Sequence, residues 1–82
     1  MYYLFAFRSR TNAMKFAQSL KKEGVKAEVV ATPHVIANGC GLSVRVMNID
    51  VARRVLSYSK YATFTGLYQV RSYNGTLNIT KM

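Results

Sequence analysis

The period of the apolar residues constrains this chain most, because it changes in a definite order along only 82 residues. "YYLFAF", residues 2–7, is an aromatic-rich run that ends at polar residues, the pattern of a buried strand. In "RSRTNAMKFAQSLKKEG" the apolar Ala13, Phe16, Ala17 and Leu20 recur at helical spacing, with Ser9 or Thr11 placed to cap the start. Lys21 and Lys22 fall in the last turn, where cations suit the helix dipole, and Gly24 fits the position just past the end. The period then drops to two. Val25, Ala27, Val29 and Ala31 alternate with Lys26 and Glu28, and Leu42, Val44 and Val46 alternate with Ser43 and Arg45, which predicts two half-buried strands.

Helical spacing returns with Asn48 as a cap, Asp50 as a first-turn acid and Ala52, Val55 and Leu56 as an apolar stripe running to about Tyr58. "FTGLYQVRS" reads as a fourth strand, Asn74-Gly75 as a hairpin turn, and "TLNIT" as a short returning strand at the edge. The order strand, helix, strand, strand, helix, strand predicts an α+β fold. It is a ferredoxin-like split βαβ sandwich with both helices on one face of an antiparallel sheet, plus the C-terminal edge strand. Residues 1–82 are expected to form a single domain. The other sheet face is left free of helices, with Tyr2, Tyr3, Tyr68 and Tyr73 as its large apolar surface.

Charge bounds the partners. Twelve Lys and Arg face three acids, Glu23, Glu28 and Asp50, for a formal net charge of +9. Such a surface draws polyanions or acidic partners, and Arg8, Arg10 and Arg45 are candidates to hold an anion or a partner. No uncharged apolar run approaches the roughly 20 residues needed to span a bilayer. "MYYLFAFRSR" has no basic region ahead of its apolar stretch, so no membrane association is expected and a cytoplasmic location is the default. One unpaired Cys agrees with that compartment.

The chemistry of sites narrows it further. One Cys and one His fall short of the four ligands of a zinc site, so no metal is expected. The three acids sit at unrelated positions, which excludes a catalytic carboxylate pair, and no phosphate-binding Gly loop of the Walker type occurs. No cofactor is expected either, and whether the chain is an enzyme stays open, with a non-enzymatic role, as a carrier or binding protein, the favoured expectation.

One segment gathers the chain's singular residues. "ATPHVIANGCGLSV", residues 31–44, holds the only Pro, the only His and the only Cys, and the about ten residues it places between the two strands exceed the roughly 2–5 of a usual hairpin loop. Pro33 marks the exit of the preceding strand. Gly39 and Gly41 flank Cys40, so the backbone there can turn sharply and surround the sulfur with N–H groups that favour a thiolate. The other reading of Cys40 is a small buried apolar residue after a Gly-rich turn. His34 is either a base or ion-pair partner for the sulfur, if the loop doubles back, or an exposed loop residue.

Pro33, then Asn38-Gly39-Cys40-Gly41-Leu42 with Arg45 in the next strand, together with "YYLFAFRSRTNAMKFAQSLKKEGV" and "GLYQV", carry a family resemblance. From about Tyr2 to Val70 the chain resembles a small bacterial family of selenium/sulfur carrier-like proteins, earlier a domain of unknown function. The resemblance implies that a thiol holds sulfur or selenium as a persulfide or selenosulfide and hands it on. By motif only Cys40 can take that role, with Gly39 and Gly41 as its backbone frame and Pro33, His34 and Asn38 as the rest of the loop. Partners would then be sulfur or selenium donor and acceptor proteins, and resolution must come from another molecule because no second Cys exists.

Two other functions suit the same sequence. A basic four-stranded sheet bearing tyrosines has the gross character of an RNA-binding module. A homodimer through the open sheet face or an edge strand is the third expectation.

Overall fold

The computed structural model describes residues 1–36, 41–58 and 61–82. The elements in chain order are β1 (Tyr2–Phe7), α1 (Arg10–Lys22), β2 (Ala27–Ala31), β3 (Leu42–Val46), α2 (Ile49–Tyr58), β4 (Phe64–Tyr73) and β5 (Thr76–Lys81). Among the described residues, two helices and a five-stranded antiparallel sheet make an α+β arrangement.

β1 is apolar on both of its faces, so a stable fold must cover both, and it takes a central place in the sheet order β2-β3-β1-β4-β5. Leu4, Phe5, Ala6 and Phe7 are all buried. β3 is antiparallel to both β1 and β2, so β1 and β2 run parallel with β3 between them. A parallel return of that kind needs a crossover, and α1 supplies it. β4 lies on the other side of β1, and β5 pairs with β4 through a hairpin turned by Asn74 and Gly75 at φ 49° and 78°. Positive φ at both central turn residues is the geometry that the Asn-Gly pair accommodates.

The helices begin where their caps say. The Ser9 side chain accepts from the Asn12 N–H at 3.2 Å, satisfying one of the free donors of the first turn of α1. Gly24, at φ 80°, lets the chain turn back, and the Val25 N–H donates to the Leu20 carbonyl at 2.9 Å. Asn48 Oδ1 likewise accepts from the Asp50 N–H at 3.0 Å to start α2. Between Glu23 and Arg54 an exposed ion pair at 3.8 Å links the end of α1 to α2 and contributes little in water.

Both helices contribute to one core. Ala13, Phe16, Ala17 and Leu20 of α1 and Ala52 and Val55 of α2 pack with Phe5, Phe7, Ala27, Val44, Val46 and Leu67 of the sheet. Phe16 is wedged between Phe5 and Phe7, with ring centroids 5.0 and 5.4 Å away, and Tyr61 meets Phe7 edge-on at 5.5 Å. Fully burying one such side chain contributes about 1.5–3 kcal/mol.

Three expectations are corrected here. The Tyr3 side chain packs against the helix-side core, so it does not share a face with Tyr2. By strand alternation from the Phe5–Leu67 pair, Tyr73 also lies on the helix side, which leaves Tyr2 and Tyr68 on the opposite face. Ser43 does lie on the face away from the helices, opposite Ala6, but it is fully buried there, and its hydroxyl is satisfied by that of Thr32 at 2.8 Å. β2 begins at Ala27, two residues after the alternation starts, because Val25 is still bonded to the end of α1.

Candidate functional site

The singular loop enters the sheet at the end of β1. Phe7 pairs with Leu42, so Gly41 arrives beside the last residues of the central strand. Gly41 has φ 146°, and a Cβ there would stand 2.9 Å from the Phe7 carbonyl oxygen and 3.5 Å from Thr32 Oγ1. Only glycine suits that place, both for its backbone angle and for the close approach of another strand. The Thr32 N–H donates to the Gly41 carbonyl at 3.4 Å, closing the base of the loop.

Other loop residues follow from this base. Pro33 is half-buried, and its carbonyl accepts from the Ile36 N–H at 3.0 Å, closing a turn that holds His34 and Val35 exposed. Asn38, Gly39 and Cys40 lie outside the described residues, and so does the question of whether His34 approaches the thiol.

A concavity of about 310 Å³ opens beside Gly41 on the face opposite the helices. Half-buried Ile36 and the Tyr68 ring give it apolar surface beside the buried Ala6 and Phe7, while Arg8, Thr32, Thr65 and the Tyr68 hydroxyl bring polar atoms. Its shape has two local causes. The pairing of β1 with β4 shifts register between Ala6 and Phe7, leaving Thr65 as an extra residue, and the Thr65 hydroxyl donates to the Ala6 carbonyl at 3.2 Å. Tyr68 lies over Gly66, where a Cβ would stand 3.2 Å from both Cε1 and the hydroxyl oxygen of that ring. Thr32, Thr65 and Ile36 were not singled out by sequence reasoning. Their only signals are the neighbouring Pro33 for Thr32 and the small Gly66 after Thr65.

The three candidate cations are separated. Arg8, just past β1, lines the concavity, and its N–H donates to the Thr63 carbonyl at 2.9 Å. Arg45 sits four residues from Gly41 along β3, about 13 Å at the usual strand rise. Its guanidinium lies 4.6 Å from the Tyr2 ring centroid, in a cation–π contact, and it lines a different depression with Lys26 and Glu28. Arg10 is the exposed first residue of α1.

The wider charge follows the same division. Arg10, Lys15, Lys21 and Lys22 of α1 and Arg53 and Arg54 of α2 are exposed on the helix layer, whereas Tyr2 and Tyr68 stand on the opposite face with Arg45 and Lys81. Among the described residues no group of three or more His, Cys, Asp or Glu side chains could hold a metal ion. Among the described residues no helix is long and apolar enough to cross a membrane.

Neither a curated protein nor a solved structure matches the chain. A family model, described as Putative Se/S carrier protein-like, matches residues 2–64, from β1 through α2 to the first residue of β4. That span includes both helices, three strands and the whole loop from Thr32 to Gly41, and the chain therefore belongs to the Putative Se/S carrier protein-like family.

Proposed function

We propose that this protein is a single-thiol sulfur or selenium carrier, with Cys40 as the carrier residue and a ferredoxin-like sheet as its scaffold. The observation that carries this reading is Gly41. In a chain of this family, the residue after the only Cys has a conformation and a close approach that glycine alone accommodates. The Gly41 carbonyl accepts from the Thr32 N–H and its α-carbon stands close to the Phe7 carbonyl, so the residue that follows Cys40 is held at the end of the central strand. A carrier thiol needs this, because transfer between two proteins demands a defined presentation of one sulfur.

The transfer conserves atoms and electrons. The Cys40 thiolate attacks the terminal sulfur of a donor persulfide, a new S–S bond forms at Cys40, the donor's own S–S bond breaks, and the donor leaves as a thiolate. A donor bearing terminal selenium reacts in the same way. The acceptor reverses the step, so no outside oxidant is required. A reducing compartment such as the cytoplasm keeps the single thiol free between rounds, and the basic helix layer offers a docking surface for acidic donor or acceptor proteins.

The test is the rate of Cys40 alkylation by iodoacetamide from pH 5 to 10, followed by intact mass, with urea-unfolded protein as reference. A carrier thiol titrates below about 7.5 and reacts faster at neutral pH than the unfolded chain. A thiol slower than in the unfolded chain at every pH overturns the reading.

A further inference from the structure

We propose that the concavity between Arg8, Thr32, Thr65 and Tyr68 binds a small carboxylate-bearing thiol, which takes the carried sulfur from Cys40. The acceptor role rests on the carrier reading above, but the binding site itself does not.

The argument starts from unmatched hydrogen-bonding capacity. Thr32 shares its hydroxyl with Ser43, and Thr65 donates to Ala6, so both are engaged within the protein. Arg8 is exposed and has no acidic partner among the described residues, where the one ion pair joins Arg54 to Glu23. The Tyr68 hydroxyl makes no side-chain hydrogen bond among the described residues. Among the described residues these two donors of the concavity have no side-chain partner, and one of them is a permanent cation with a planar fork that matches a carboxylate.

Apolar surface sets the rest of the ligand. Half-buried Ile36 and the ring of half-buried Tyr68 line the same concavity, and a bare oxyanion would leave that apolar surface uncovered. A ligand with an aliphatic body and a carboxylate covers both parts, and about 310 Å³ lies at the small end of ligand-sized sites. An acidic protein would instead find its charge complement on the helix layer, where Arg10, Lys15, Lys21, Lys22, Arg53 and Arg54 are exposed.

Position supplies the thiol. Phe7 and Thr32 both line the concavity and both meet Gly41, the residue joined to Cys40. With no second Cys in the chain, a carried sulfur leaves only to an outside nucleophile. A ligand thiolate attacks the terminal sulfur of the Cys40 persulfide, the S–S bond at Cys40 breaks, Cys40 leaves as a thiolate, and the ligand departs as the persulfide.

The experiment separates binding from transfer. S-methylglutathione, which has the carboxylates and no free thiol, is titrated into the full-length Cys40→Ser protein while backbone amide resonances are followed by NMR. Saturable shifts are expected at Ala6, Arg8, Thr32, Thr65 and Tyr68, and Arg8→Gln is expected to weaken binding about tenfold with the spectrum of the folded protein retained. Tyr68→Phe tests the second donor with the ring kept, and is expected to weaken binding by a smaller factor.

Shifts confined to the helix-layer cations, or binding indifferent to Arg8→Gln, overturn the site. If the site binds its probe while Cys40 proves inert to alkylation, the carrier reading and the acceptor role fall and the binding site stands. If persulfidated protein passes sulfur to glutathione at a rate that Arg8→Gln leaves unchanged, the site falls and the carrier reading stands.

Discussion

The α-carbon of Gly41 faces the backbone carbonyl of Phe7 so closely that a Cβ would stand 2.9 Å from the oxygen, at a φ of 146°. Phe7 is 2% exposed and belongs to the central strand, so this carbonyl has nowhere to move. Gly41→Ala is expected to cost about 1–3 kcal/mol in urea unfolding, from backbone strain together with the clash. An unchanged midpoint would show that the loop and β1 do not meet in this way.

Gly66 presents the opposite case. Its nearest neighbours are the ring of Tyr68 at 3.2 Å and Lys81 Cε at 3.3 Å, both ends of side chains that can swing aside. Gly66→Ala is therefore expected to change stability by less than about 1 kcal/mol, because the reduced freedom of the unfolded chain offsets the displacement. The ring resonances of Tyr68 should shift in the same variant, and binding in the concavity should change with them.

Thr32 and Ser43 form a pair that the sheet cannot replace with water, since Ser43 is 0% exposed. Ser43→Ala is expected to cost about 1–2 kcal/mol, because it leaves the Thr32 hydroxyl without its partner. Adding Thr32→Val should cost less than the two single changes summed. Strict additivity in this double-mutant cycle would mean that the hydrogen bond contributes nothing.

Phe16 touches Phe5, Phe7 and Tyr61, with centroids 5.0, 5.4 and 5.9 Å away. Phe16→Ala is expected to lose about 3–5 kcal/mol, a large share of what a domain of this size has. Thermal unfolding is the measurement. A loss below about 1 kcal/mol would mean that the helix layer does not close over the sheet as described.

Local chemistry wrote several elements directly into the chain. Ser9 and Asn48 cap the two helices, Gly24 ends the first, and Asn74-Gly75 turns the last hairpin, each through contacts within a few residues. The loop's glycine was legible for the same reason, although its neighbour against β1 was not. Arg8, Arg10 and Arg45 were equal candidates by sequence, and only the sheet separates them, since Arg8 alone of the three lines the concavity beside Gly41.

The period of the apolar residues by itself determined the kind and order of the elements, because strand and helix repeats are properties of a single segment. Which face each side chain takes was decided by the tertiary structure. β1 is apolar at Tyr2, Leu4 and Ala6 as well as at Tyr3, Phe5 and Phe7, so nothing within the strand says which set meets the helices. Packing against Phe16 selects the second set, sending Tyr3 inward and leaving Tyr2 to Arg45. The concavity is likewise nonlocal: it exists because the register shift at Thr65 and the ring of Tyr68, both in β4, and the connection carrying Thr32 and Ile36 converge from two distant parts of the chain on the end of β1.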